Sequence, residues 1–166
     1  MGKQRGFSLI ELLIVVAIIL VIAAIAIPSF LHARMAANEA SAVDSLRNID
    51  TAEVSYASIY PALGFAPDLN TLGPGGTAGS ASSSANAMLL DNVLGCPAGV
   101  ATASCQKSGY NFYITAGTGT PVGSYTSNAN PISLGSTGNR YFYSDNSVVI
   151  RFNATAIATS TDEPIQ

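Results

Sequence analysis

Residues 7–27 read FSLIELLIVVAIILVIAAIAI, and their only polar side chains are Ser8 and Glu11. As a helix, this stretch would span roughly 30 Å at 1.5 Å per residue, which matches the hydrocarbon thickness of a bilayer. Lys3 and Arg5 precede it, and the first six residues contain no acidic residue. The positive-inside bias therefore predicts that the first six residues lie in the cytoplasm and that the following chain crosses the membrane.

Three interpretations fit this N-terminal segment: a cleaved signal peptide, a permanent membrane anchor, and a short leader followed by a retained helix. Residues 24–26 form a small-x-small triplet that a signal peptidase could cut, which keeps the first interpretation open. However, the apolar run exceeds the roughly 7–15 residues that are usual in signal peptides. An ionisable side chain inside hydrocarbon also costs about 2.5–3.5 kcal/mol at mid-depth, so Glu11 needs a partner in a plain anchor too.

Cleavage between Gly6 and Phe7 would supply the missing cation. The new α-ammonium group of Phe7 would lie one helical turn from Glu11 and form an opposite-charge pair with it. The carboxylate would then be in the first turn of the helix, where the helix dipole also favours an anion. A short leader followed by a retained helix therefore explains the presence of Glu11, which the other two interpretations do not explain.

Residues 3–19, KQRGFSLIELLIVVAII, resemble the N-terminal signature of type IV prepilins and type II secretion pseudopilins. In that family a membrane aspartyl protease cuts after the glycine and methylates the new N-terminal phenylalanine. The resemblance therefore implies cleavage between Gly6 and Phe7 and N-methylation of Phe7. It also implies that Glu11 docks an incoming subunit against the N-terminal amine of a neighbour. The resemblance covers roughly residues 3–60, beyond which pilin sequences diverge too far to guide the interpretation.

The long helix is predicted to continue past Pro28 to about Tyr60. Pro28 removes one backbone hydrogen bond, which predicts a kink or local unwinding there, and the family resemblance implies that helix is lost at this point on assembly. One face carries apolar residues at helical spacing, interrupted by Glu53: Ala42, Leu46, Ile49, Tyr56 and Tyr60. The opposite surfaces are expected to carry the charged residues Arg34, Glu39, Asp44, Arg47 and Asp50.

Strand patterns collect near the C-terminus, at residues 110–115, 124–126, 140–143 and 148–152. The last two flank Asp145 and Asn146 and are predicted to form a hairpin. In the last strand, Val148, Ile150 and Phe152 are expected to pack on the helix, while Arg151 leans toward solvent.

Cys96 and Cys105 are the only cysteines, and they lie close together within a long Gly- and Ser-rich region. We expect one disulfide between them, which would persist only in an oxidising compartment and so agrees with export of this part of the chain. Two buried free thiols are the alternative. Within the same region, residues 87–94 are expected to pack on the core.

Composition and motifs argue against nucleic-acid binding and catalysis. Only 10% of residues are charged and the formal net charge is −3, which leaves no basic surface for nucleic acid. His32 is the only histidine and no nucleotide-binding or hydrolase motif is present, so we expect no enzyme, no catalytic residue and no cofactor. Asp145, Asp162 and Glu163 are too few to predict a calcium site, so no metal is expected.

The predicted fold class is α+β: a long N-terminal α-helix, membrane-spanning in its first half, with a C-terminal antiparallel β-sheet packed on its second half. Residues 1–6 form the leader peptide and residues 7–27 form the transmembrane and polymerisation half of the helix. Residues 28–166 form a globular domain that is periplasmic or extracellular.

The predicted function is that of a structural subunit of a type IV pilus-like extracellular filament. The alternatives are the major pseudopilin of a type II secretion system and a monomeric membrane-anchored binding module. The resemblance implies three partners, namely further copies in a helical filament, the prepilin peptidase and methyltransferase, and an inner-membrane assembly platform. It places the chain in the inner membrane before assembly and in an extracellular pilus or a periplasmic pseudopilus afterwards.

We predict that the mature chain begins at Phe7, because cleavage there gives Glu11 its cationic partner. Intact-mass measurement or N-terminal sequencing of the purified protein should show an N-methylated phenylalanine as the first residue. A product that begins at Ile27 would instead identify an ordinary signal peptide and remove the filament interpretation with it.

Overall fold

The computed structural model describes residues 7–74, 81–96 and 105–165. Two helices and six strands occur in this part of the chain: α1 Leu9–Ile59, α2 Leu69–Leu72, β1 Cys105–Lys107, β2 Tyr110–Ala116, β3 Tyr125–Pro131, β4 Tyr141–Asp145, β5 Arg151–Asn153 and β6 Glu163–Pro164. The chain forms two compact units, the first ending at Arg34 and the second beginning at Met35. The long N-terminal helix and the α+β class are thereby confirmed.

The six strands form one antiparallel sheet in which each strand pairs with the next along the chain. The longest pairing joins β2 to β3, from Tyr110 opposite Pro131 to Ala116 opposite Tyr125. Burial alternates strictly along β3, as expected for a strand with one face on a core. The weak strand signal at residues 124–126 is therefore the start of a full central strand.

The second unit is held together by an apolar layer between α1 and the sheet. The apolar face predicted for the helix is confirmed, because Ala42, Leu46, Ile49 and Tyr56 are buried. They belong to one core with side chains of α2, the loops and the strands: Leu72, Leu90, Leu94, Tyr110, Phe112, Ala129 and Phe142. Burying one such large side chain contributes about 1.5–3 kcal/mol, so this layer is the main source of stability.

The prediction that Glu39 and Asp50 lie on the surface of the helix opposite its apolar face was wrong, because both side chains are buried. Glu39 accepts hydrogen bonds from Asn139 N at 2.8 Å and Arg140 Nε at 2.8 Å, and the guanidinium completes an ion pair. Asp50 accepts hydrogen bonds from Tyr125 OH at 3.0 Å and from a serine hydroxyl of β4 at 2.6 Å. Donors from distant parts of the chain make these positions tolerable for carboxylates.

The predicted C-terminal hairpin is confirmed, since β4 and β5 pair with Phe142 opposite Phe152. Ile150 is buried and Phe152 is partly buried against the core, as expected. Val148 corrects the prediction, because it is 49% exposed and lies in the turn, with its N–H donating to Asp145 O at 2.8 Å. The strand begins only at Arg151, so the alternation of a strand does not yet apply at Val148.

The disulfide between Cys96 and Cys105 is confirmed, with the two Cα atoms 5.3 Å apart. Both cysteines are buried in the core. The fragment at residues 87–94 also packs as expected, with Leu90 and Leu94 buried. The intervening loop, residues 97–104, and residues 75–80 of the Gly- and Ser-rich region lie outside the described residues.

Glu53 predicts a pH-dependent stability. Burial raises its pKa to about 8, although a hydrogen bond from Ala66 N at 2.8 Å favours the charged form, and the nearby Asp50 and Asp68 raise the pKa further. The folded state therefore binds a proton that the unfolded state has released above its ordinary pKa of 4.5. The free energy of unfolding should fall as the pH rises from about 5 to 8, by on the order of 2–5 kcal/mol.

The substitution Glu53→Gln should flatten this dependence, because a neutral amide keeps the acceptor for Ala66 N without a charge. Chemical denaturation of the full chain in detergent at pH 5 and pH 8 measures both slopes. A residual slope is expected from Asp50, whose pKa burial also raises. Glu163→Gln, at an exposed position, is the matched control and should leave the slope unchanged. Equal slopes in the parent chain and Glu53→Gln would refute a protonated Glu53.

Candidate functional site

The N-terminal turn of α1 is closed by Ser8 and Glu11. Ser8 precedes the first helical residue, Leu9, and its backbone N–H donates to Glu11 Oε2 at 2.9 Å. The first helical bond follows, from Leu12 N to Ser8 O at 3.3 Å. A glutamate three residues after the cap that reaches back to the cap N–H is one half of a capping box. It satisfies one of the donors that every helix start leaves open.

This contact changes the interpretation of Glu11, which has a hydrogen-bond donor in its own chain. The signal was present in the sequence, since Ser8-Leu9-Ile10-Glu11 matches the S-x-x-E capping pattern. A backbone donor for Glu11 was therefore predictable from the sequence. A backbone N–H is a dipole and leaves the net charge of the carboxylate in place, so Glu11 still favours a cationic partner in an apolar environment.

The side chains around Glu11 are apolar and uncovered. Phe7 is 81% exposed, and exposed large apolar side chains follow along the helix: Leu9, Ile10, Leu12, Leu13, Ile14, Val15, Val16, Ile18, Ile19, Leu20, Val21, Ile22, Ile25, Ile27, Phe30 and Leu31. By length and composition, α1 contains a stretch that could cross a membrane, although an N-terminal signal sequence meets the same criterion. Such a surface requires lipid or other protein around it, because it far exceeds the patches that soluble monomers expose.

The other predicted site residues are distributed along the chain. Gly6 lies outside the described residues, next to Phe7, which is the first of them. Pro28 lies inside α1, and the helix continues through it without a break. The kink, and the loss of helix on assembly, stay predictions. The subunit-docking role of Glu11 and Phe7 concerns contacts between chains and stays a prediction as well.

The second unit offers clefts but no recognisable catalytic arrangement among its described residues. One open cleft of about 520 Å³ is lined by Val148, Val149, Ile150 and Ile165 with Arg47 and Thr51. The Thr51 hydroxyl donates to the backbone oxygen of Arg47 at 2.8 Å, so it is not paired with a base. In residues 7–74, 81–96 and 105–165, no three His, Cys, Asp or Glu side chains are grouped to hold a metal ion.

Comparison with known proteins finds a family model and a curated relative that each match part of the chain. Residues 1–27 match the family model of the prokaryotic N-terminal methylation motif. The type IV major pilin protein PilA of Myxococcus xanthus (strain DK1622) is 41% identical over 73 residues, which cover 40% of this chain and 33% of that protein. The chain therefore matches about a third of the length of this curated relative. No solved structure matches the chain.

These matches confirm the resemblance to type IV pilins that the N-terminal sequence indicated. The methylation motif covers the leader, Gly6, Phe7 and the first part of α1. Together with the exposed apolar helix and the sheet-bearing second unit, they support a pilin-type structural subunit.

Proposed function

We propose that this chain is a structural subunit of a type IV pilus-like extracellular filament, assembled through its N-terminal hydrophobic helix. The observation that carries the proposal is the uncovered apolar surface of α1 from Phe7 to Leu31 with a carboxylate, Glu11, at its start. A helix that only tethers a domain to the membrane needs a sufficiently long apolar stretch and no charged side chain. A charged side chain within the stretch is energetically costly, which is consistent with a role in fixing the register between packed chains.

The proposed life cycle has two stages. In the inner membrane, the basic leader faces the cytoplasm and a prepilin peptidase removes residues 1–6 and methylates Phe7. An assembly platform then transfers the processed chain into the filament. In the filament the N-terminal helices of different copies pack on one another, so that protein replaces lipid around the exposed apolar side chains of α1. Catalysis by the chain itself has no part in the proposal.

Glu11 acts at the transition between these stages. In the membrane the carboxylate keeps its hydrogen bond from Ser8 N, and the Phe7 ammonium group of its own chain offsets only part of the cost of its charge. In the filament it meets the Phe7 ammonium group of a neighbouring chain, and the two charges offset each other in a low-dielectric setting. The pair therefore favours the assembled state over the membrane state and sets the axial position of the incoming subunit.

We predict that Glu11→Gln leaves the processed subunit in the membrane but strongly reduces filament formation. Glutamine removes the charge and keeps an oxygen that can accept from Ser8 N, so the helix start is preserved. Losing the carboxylate leaves the neighbouring ammonium buried and unpaired, at a cost of about 3–5 kcal/mol. The measurement is the filament yield after shearing, by microscopy and immunoblot, with the membrane level of processed subunit as the control.

Glu11→Ala separates the two roles of the side chain, because it removes both the charge and the cap acceptor. If the charge pair drives docking, the alanine and glutamine variants should lose filaments to a similar extent. Filament loss in Glu11→Ala alone would show that the cap matters and the charge does not. Normal filaments from both variants would contradict the docking role altogether.

A deletion of the gene distinguishes a pilus from a secretion pseudopilus. Loss of surface filaments with secretion intact is the result expected here, in keeping with the similarity to a major pilin. Loss of secretion with surface filaments intact would favour the pseudopilin alternative.

A further inference from the structure

The second unit has an excess of negative charge. Of the 10 acidic residues in the chain only Glu11 precedes Met35, whereas three of the 7 basic residues do. The other basic side chains are engaged within the unit, namely Arg47 with Asp44, Lys107 with Asp91, Arg140 with Glu39, and Arg151 with the main-chain oxygen of Asp162. Two copies of this unit therefore repel each other wherever their charged surfaces meet.

Several stretches of the second unit contain no charged residue, and two of them carry pairs of exposed apolar side chains. One lies between Glu53 and Asp68 and forms the end of α1 with the turn that follows. The other lies between Lys107 and Arg140 and forms β2, β3 and the turns at either end of these strands. Surfaces built from these segments can approach another acidic unit without electrostatic repulsion between side chains at the contact.

The first such surface is the start patch, defined as Ile132 and Leu134, in the turn after β3. These side chains are 47% and 51% exposed. The turn is fixed beside the beginning of the second unit, because Asn38 Nδ2 donates to Thr137 O at 2.9 Å. The Ile132 N–H also donates to Gly109 O at 3.0 Å.

The second surface is the end patch, defined as Ile59 and Leu63, at the end of α1. These side chains are 55% and 42% exposed. The β2–β3 turn closes this end of the unit, since Val122 N donates to Leu63 O at 2.7 Å. Along the helix, Asn38 and Ile59 are roughly 30 Å apart at 1.5 Å per residue. The two patches therefore lie at opposite ends of the second unit.

We propose that the start patch of one copy packs on the end patch of another copy further along the filament than the neighbour that Glu11 meets, giving a head-to-tail contact between second units. The proposal rests on the proposed function, because a contact between two different patches that does not close on itself generates a filament. A copy offers both halves of the contact, and each half is apolar and uncharged. If a patch instead packed on the same patch of a second copy, the two copies would form a closed dimer and the other patch of each copy would stay exposed.

Other exposed apolar side chains suit this contact less well. Val93, Val148 and Ile157 are between 49% and 56% exposed. Each lies in a loop that is anchored by a carboxylate: Asp91 accepts from Leu94 N, Asp145 from Ser147 N, and Asp162 from Thr159 N. A second acidic unit would meet a carboxylate at each of these loops, although the one beside Val93 is paired with Lys107.

The test is a charge exchange in the full-length chain, with Leu134→Glu, Leu63→Lys and the double variant. Each single variant places an unpaired charge in the contact and should lower the yield of sheared filaments about tenfold or more. In the double variant the two new charges meet across the contact, so most of the yield should return. Ile157→Glu is the matched control, at a position of similar exposure outside both patches, and should assemble normally.

Two outcomes would overturn the head-to-tail contact while leaving the proposed function intact. One is a normal filament yield from both single variants. The other is a double variant whose filament yield is no higher than that of the more impaired single variant. An absence of filaments from the unsubstituted chain would instead contradict the proposed function. Membrane levels of processed subunit show whether a variant has failed to accumulate.

Cysteine crosslinking tests the same contact without adding charge. In assembled filaments, the combination of Leu63→Cys and Leu134→Cys should give a ladder of covalent multimers under mild oxidation. Neither single cysteine variant should give a ladder. Filaments of the double variant that yield no ladder would overturn the proposal, and so would covalent dimers from one single variant, because they indicate a symmetric contact.

Discussion

The second unit depends on burying carboxylates of α1 next to donors from distant parts of the chain. Glu39 meets Asn139 N and Arg140, and Asp50 meets Tyr125 and Ser144. A carboxylate left without these donors in the interior would cost several kcal/mol, so a shifted register of α1 on the sheet is disfavoured by about that amount. Apolar burial supplies most of the stability of this layer, and the carboxylates determine which arrangement of it is accepted.

The parts of the fold that depend on local sequence were predictable. The apolar N-terminal run, the helical spacing from Ala42 to Tyr56 and the hairpin between β4 and β5 each follow from a pattern within one segment. Glu39 and Asp50 were placed on the solvent side because a helical pattern shows polarity but not partners. The partner of Glu39 is 101 positions away, and no local pattern indicates it. The prediction for Val148 was wrong because side chains alternate between the two faces of a sheet only within a strand, and this strand begins at Arg151.

The N-terminal site shows a different limit of sequence reasoning. The methylation motif at residues 1–27 is recognisable at once, because the leader, Gly6, Phe7 and Glu11 lie within a few positions. The capping contact of Glu11 with Ser8 was also predictable from the S-x-x-E pattern, because its residues lie within one helical turn. Cleavage, methylation and docking involve other protein chains, so neither the sequence nor the structure of one chain can display them.

Carboxylates at four positions of one helix are accommodated in different ways. Glu39 forms an ion pair with a guanidinium, Asp50 accepts hydrogen bonds from hydroxyl donors, and burial favours the neutral form of Glu53 by raising its pKa. The donors in each arrangement belong to the same chain, although Glu53 Oε1 is buried without a hydrogen-bond partner. Glu11 has a backbone dipole beside it and exposed apolar side chains around it, so its charge is not compensated by the contacts described. The buried carboxylates of the second unit thus have donors in their own chain, whereas Glu11 lies among exposed apolar side chains that lipid or another chain would have to cover, as the proposed filament role expects.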